Sequence, residues 1–175
     1  MNSRALFLAR AAIRSQKAAL CLVVAIASFA VGNVCAYEAG DTIEAHVLKD
    51  LGAHPDKVIV IDFFAEWCGS CRKELPLISD LHDRVKGGGD VQFIGIDTDD
   101  SLDVAKAFQK ELKEKGDLSF EVVNDLEQQI VGKFKPRGYP ALYIIKDGKV
   151  ASAYLGATDD IDAVIENDLK KLAGE

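Results

Sequence analysis

The chain has 175 residues, with 21 Lys+Arg against 28 Asp+Glu and a formal net charge of −7. That length allows one ordinary domain plus a leader or tail, but not two full domains. Hydrophobic residues at 49% and charged residues at 28% give a globular balance, which argues against disorder. The acidic excess argues against nucleic-acid binding, which needs a basic stripe to neutralise phosphates. Four cysteines are too few for a disulfide-stapled small domain, and leave one zinc site or redox work open.

The first 36 residues contain no acid and carry Arg4, Arg10, Arg14 and Lys17. An apolar run from Ala18 to Val31 follows, then Val34-Cys35-Ala36 with small residues at the −3 and −1 positions of a cleavage site. This is the order of a signal peptide over residues 1–36, with a domain over 37–175. An uncleaved N-terminal anchor is the alternative, because the run extended to Ala36 approaches the roughly 20 residues of a membrane span. A lipoprotein at Cys35 fits poorly, with bulky Val34 before it, and the apolar run argues against a mitochondrial presequence. Cleavage after Ala36 removes the four basic residues, which takes the charge from −7 to −11, and leaves Cys68 and Cys71 as the only cysteines.

Tyr37 to Lys57 is polar and mixed, with a short edge strand expected near Thr42–Ala45 and a loop at Gly52–Pro55. Val58–Phe64 is a nearly continuous apolar, β-branched run, which fits a strand buried on both faces. Leu75, Ile78, Leu81 and Val85 recur at helical spacing, and Gly87-Gly88-Gly89 ends that helix. Val91–Asp97 reads as a second strand. A helix is expected over Ser101–Lys115 with Val104, Ala105, Phe108 and Leu112 on its buried face, and a short strand over Phe120–Val123. Leu126, Ile130, Val131 and Phe134 mark another helix, stopped near Pro136 and Gly138. Ala141–Lys146 and Val150–Leu155 form a hairpin through Asp147-Gly148, a type I′ pair. Ile161, Val164, Ile165, Leu169 and Leu172 mark a final amphipathic helix. The order β-α-β-α-β-α-β-β-α implies an α/β fold with a central sheet and helices on both faces.

The chemistry-bearing segment is Trp67-Cys68-Gly69-Ser70-Cys71, between a buried strand and a helix. Free amide groups and the helix dipole at a helix start stabilise a thiolate. The pKa of Cys68 is therefore expected below the free value of about 8.5, with Cys71 deeper and poised to resolve a mixed disulfide. Zinc would need four ligands, and His46, His54 and His82 have no ligand-like spacing. A purely structural bridge across so small a loop would add little stability. Asp62 interrupts an otherwise apolar strand. Buried, its carboxyl would have a raised pKa and could take the proton of Cys71. Glu74 is a second candidate for that role. Trp67 offers a contact surface beside the pair.

Asp62-Phe63-Phe64-Ala65-Glu66-Trp67-Cys68-Gly69-Ser70-Cys71 resembles the thioredoxin active-site segment, and the resemblance runs from about Val58 to Leu172. In the thioredoxin fold, a cis-proline lies beside the cysteines. Arg137-Gly138-Tyr139-Pro140 makes Pro140 the candidate, and Tyr139 and Pro140 the expected wall of a substrate groove. Pro76 fits the proline inside the active-site helix. Ser70 departs from plain thioredoxin, which has proline between the cysteines. Cys71-Arg72-Lys73-Glu74-Leu75-Pro76 is similar to the signature of the TlpA/ResA-like exported reductases, as is an added helix and strand around Ser101–Val123. The resemblance implies a thiol–disulfide oxidoreductase with no bound organic cofactor, outside the cytoplasm. It also implies disulfide-containing clients such as apocytochrome c or a copper-site protein, and a membrane thiol carrier as electron donor. An oxidase or isomerase of the same fold is the nearest rival. A copper chaperone using Cys68 and Cys71 and a non-catalytic module are the more distant ones.

Overall fold

A computed structural model describes residues 36–174. The expected leader therefore lies outside the described residues, apart from Ala36. Helix α1 (Ala45–Asp50) precedes strand β1 (Val58–Phe64), helix α2 (Cys71–Val85) and strand β2 (Val91–Asp97). Helix α3 (Leu102–Lys115), strand β3 (Glu121–Asn124) and helix α4 (Gln129–Phe134) follow, then the hairpin β4 (Ala141–Lys146) and β5 (Lys149–Leu155), and helix α5 (Ile161–Ala173). The five strands form one sheet in the order β3-β2-β1-β4-β5. β1, β2 and β3 run parallel, and β4 pairs antiparallel with both β1 and β5. This mixed sheet flanked by helices is the thioredoxin fold.

Alternation along β1 divides the core in two. Val60 and Phe64 face a layer formed by Leu75, Ile78 and Leu81 of α2, Phe108 and Leu112 of α3, and Ile161 and Ile165 of α5. Ile59, Ile61 and Phe63 face the other way, toward Val47 of α1 and Phe134 of α4. Asp62 lies between Val60 and Phe64 on the strand, so it belongs to the α2 side. Each fully buried Leu or Ile contributes about 1.5–3 kcal/mol, and Leu75, Ile78 and Leu81 are all fully buried. Three such residues at helical spacing hold α2 against the sheet and fix where its first turn lies.

The hairpin closes as its sequence predicts. Asp147 and Gly148 both have positive φ, 52° and 73°, as a type I′ turn requires. The first segment differs from expectation. In place of the strand expected near Thr42–Ala45, Thr42 makes only a single bridge to Lys149, and an unexpected helix begins at Ala45 and runs to Asp50. Ile43, Val47 and Leu51 are the residues buried there, an i, i+4, i+8 pattern in a segment too polar overall to announce a helix. Val104 on α3 is 42% exposed, and Leu126 falls before α4 and is exposed. Gln109 takes the buried place on α3 that Val104 was expected to share. Among the described residues no helix is long and apolar enough to cross a membrane.

Candidate active site

Strand β1 ends at Phe64, and the chain turns through Ala65, where the Ala65 carbonyl accepts the Cys68 N–H at 3.1 Å. Cys68 precedes the helix, and Cys71 is its first helical residue. The two sulfurs are joined as a disulfide, S–S 2.00 Å. Both cysteines are buried, Cys71 the more deeply. The Cys71 N–H donates to Cys68 Sγ at 3.1 Å, and the Ser70 hydroxyl lies 3.5 Å from the same sulfur. An amide at the start of a helix therefore points at Cys68, the arrangement that favours a thiolate there once the bridge is reduced.

Behind the pair, Asp62 is 2% exposed, and its Oδ1 has no hydrogen-bond partner among the described residues. Loss of water pushes its pKa up to about 8, and the nearby Glu74 carboxylate adds to the rise. Glu74 is buried as well. It accepts the backbone N–H of Thr158, and burial raises its pKa while that hydrogen bond lowers it. The two candidate carboxyl groups are thus both buried and close enough for the charge of one to act on the other.

The Tyr139–Pro140 peptide bond is cis. Pro140 is buried, and its carbonyl accepts the Gly156 N–H at 2.9 Å. Trp67 is 63% exposed and meets Tyr139 edge to face, with ring centroids 5.3 Å apart. It is therefore a surface aromatic beside the disulfide and not a core residue. His46 and His54 are exposed, and His82 is tied to Ser119 at 2.8 Å. No group of three or more His, Cys, Asp or Glu among the described residues is placed to hold a metal ion.

Sequence reasoning missed a buried polar cluster at the carboxyl ends of β1, β2 and β3. Asp97, Thr98, Asp99, Gln109 and Asp125 are all buried. Thr98 donates its N–H and its hydroxyl to the Phe64 carbonyl, and Asp99 Oδ2 accepts the Glu66 N–H at 2.9 Å. Asp125 accepts the N–H groups of Ile130 and Val131 and so caps α4. The run Asp97-Thr98-Asp99-Asp100 looks like a solvated loop, and only its position at the strand ends could have signalled otherwise.

Residues 33–153 match the AhpC/TSA family. The chain belongs to that family. ResA, a thiol-disulfide oxidoreductase of Bacillus thuringiensis (strain Al Hakam), is 32% identical over 126 residues, covering 71% of this chain and 67% of that protein. A ResA of Bacillus cereus is 34% identical over 110 residues, covering 62% of this chain and 59% of its relative. A solved structure from Chlorobium tepidum, provisionally named thiol:disulfide interchange protein DsbE, superposes with a TM-score of 0.64 at 22% identity. It covers 77% of this chain and 96% of that one, a likeness of fold. The AhpC/TSA chain is thus a thioredoxin-fold member of the ResA-like group, and its Cys68–Cys71 pair places it among thiol–disulfide oxidoreductases.

Proposed function

We propose that the chain is an exported enzyme that reduces disulfides in client proteins, with Cys68 as the nucleophile and Cys71 as the resolving thiol. The observation that carries this reading is the Cys68–Cys71 disulfide at the β1–α2 junction, with the unpartnered Asp62 carboxyl on the same side of the sheet. The Cys68 thiolate attacks one sulfur of a client disulfide, forms a mixed disulfide and releases the other client sulfur as a thiolate that takes up a proton. Cys71 then gives its proton to the ionised form of Asp62 and attacks Cys68 Sγ, and the second client sulfur leaves as a thiolate that takes up that proton. The pair ends oxidised and the client has gained two electrons, so an external dithiol must reduce the pair again. The reduced Cys68/Cys71 dithiol carries the electrons itself, and this chemistry uses no bound cofactor.

A carboxyl with a pKa near 8 holds and releases protons in the range where Cys71 must lose one. Glu74 supports Asp62 by adding negative charge beside it. Trp67, Tyr139 and Pro140 form the wall against which an extended client segment docks. Residues 1–36 act as the export leader or, if retained, as an anchor. The clients are disulfide-containing periplasmic proteins, with apocytochrome c and copper-site proteins the classes suggested by the ResA-like group. The electron donor is a membrane thiol carrier.

Replacing Cys71 by Ser tests the reading. The variant should accumulate clients on Cys68 as mixed disulfides, which can be captured and identified from the exported fraction. Absence of any such adduct, with Cys68→Ser leaving function intact, would sink it. Equilibration with glutathione tests the direction, since about 30 mV is 1.4 kcal/mol for this two-electron couple. A strongly oxidising potential would reassign the chain to oxidation.

A further inference from the structure

We propose that helix α3 braces the active-site turn, with Asp99 and Arg72 as positioning residues that carry its hold to the backbone before Cys68. The proposal rests on Cys68 being the attacking thiol, and it assigns a task to the helix and strand added between β2 and α4.

Glu66, two residues before Cys68, is held at three points. Its N–H donates to Asp99 Oδ2 at 2.9 Å. Its carbonyl accepts from Arg72 Nε at 3.3 Å, and its carboxylate accepts from an Arg72 terminal nitrogen at 2.9 Å. Two arms link these holds to α3. On the first, the Arg72 guanidinium lies 4.3 Å over the Phe108 ring and donates to the Glu111 carboxylate at 3.2 Å. On the second, Gln109 donates to Asp97 Oδ2 at 2.8 Å and to Asn124 Oδ1 at 2.7 Å. Asp97 Oδ1 in turn accepts the Asp99 N–H at 3.1 Å.

Phe108, Gln109 and Glu111 therefore grip the turn from one helix through two independent chains of contacts. Asp97, Asp99 and Gln109 are buried, where a hydrogen bond is costly to leave unmade and so fixes geometry. The turn needs such fixing. Among the backbone hydrogen bonds of Ala65, Trp67 and Cys68, one closes the turn from Cys68 to Ala65 and another runs from Arg72 to the Cys68 carbonyl. The side of the turn nearest the exposed Trp67 is secured by side chains. The thiolate of Cys68 is stabilised only while its sulfur sits over the amide groups at the start of α2, so movement of the turn acts directly on its reactivity.

Trp67 is the only tryptophan in the chain, so its fluorescence reports this turn alone. The experiment measures, on the full reduced chain, the anisotropy of Trp67 emission and the rate of Cys68 alkylation by iodoacetamide as a function of pH. Asp99→Ala, Arg72→Lys and Gln109→Ala are each expected to lower the anisotropy and to slow alkylation at neutral pH about tenfold, a modest loss for a displaced reacting group. Arg72→Lys keeps the charge but not the fork of donors, and the Gln109 side chain bonds to Asp97 and Asn124 and not to Glu66 or Trp67 directly. Asp99→Asn keeps a carbonyl oxygen for the Glu66 N–H and should retain most of the wild-type values. Unchanged anisotropy in both Arg72→Lys and Gln109→Ala overturns the brace. If Asp99→Ala fails to fold, Arg72→Lys at its partly exposed position carries the test. Alkylation of Cys71 as fast as that of Cys68 in the unmodified chain would count against Cys68 as the nucleophile, and the anisotropy would still decide the brace.

Discussion

Asp62 and Glu74 are two buried carboxyl groups close enough to act on each other electrostatically, and only one of them is satisfied. Glu74 accepts a hydrogen bond from the Thr158 backbone, whereas Asp62 Oδ1 has no partner among the described residues. Burial with no donor shifts a carboxyl toward its neutral form, and a neighbouring negative charge strengthens the effect, while a pKa near 8 leaves the ionised form within reach. The pKa of Asp62 is accordingly pushed up to about 8. Glu74 is the fixed partner, tied to the loop before α5, and Asp62 is the one free to exchange a proton.

The pH dependence of stability follows from that pKa. The unfolded chain releases the Asp62 proton near pH 4 and the folded chain near pH 8. The folded state therefore binds more protons between these values, so the contribution of Asp62 is full below pH 4 and is lost as pH rises through 8. Asp62→Asn should gain about 4 kcal/mol in urea unfolding at pH 7 relative to its effect at pH 4. An increment that does not vary with pH would show that Asp62 is not buried as an acid. The same variant should slow release of the mixed disulfide more than its formation, which stopped-flow measurement of the two steps separates.

Trp67 stands on the surface beside the disulfide and not in the core. With its ring 63% exposed, Trp67→Ala should change unfolding free energy by no more than about 0.5 kcal/mol. It should raise KM for a protein disulfide about tenfold, the scale of one good interface residue. Turnover of a small disulfide should stay near the wild-type rate. Equal loss on both substrates would place Trp67 in the chemistry instead of the groove.

Gly95 marks a close approach in the sheet beside Asp62, its register partner on β1. A Cβ at this position would lie 2.8 Å from the Phe64 ring, 3.1 Å from Phe120 and 3.2 Å from Val122. Gly95→Ala should cost about 1–3 kcal/mol through overpacking. Denaturant titration reads the loss directly, and a neutral result would mean that Phe64 and Phe120 shift freely.

Asp168 on α5 behaves in the opposite sense to Asp62. Burial works against its charge, but the Ser152 and Tyr154 hydroxyls and the Lys171 ammonium outweigh it, and its pKa is lowered. Its stabilisation is present above the unfolded pKa and is lost as pH falls through the folded one. Asp168→Asn should destabilise by about 1–3 kcal/mol at pH 7. The gap from wild type should close as the solution is acidified below the ordinary aspartate pKa, and a gap that persists there would point to packing instead.

The sequence by itself determined the strands and the principal helices, because apolar spacing within a segment states which face is covered. Val58–Phe64, Val91–Asp97 and the Asp147-Gly148 turn all fall where the residues predict. It also determined where the two cysteines sit, since a strand followed directly by a helix leaves one junction for them. Asp62 apart, whose apolar strand announces its burial, only the tertiary structure decided which polar groups are buried. Glu74 finds its donor 84 residues away, at Thr158, and Asp99 reaches Glu66 across 33. Periodicity within one segment carries no information about such partners. A carboxylate on a helix and an acidic loop have the same local pattern whether they are solvated or enclosed, so the surroundings of Cys68 are settled by how distant strand ends and helices pack together.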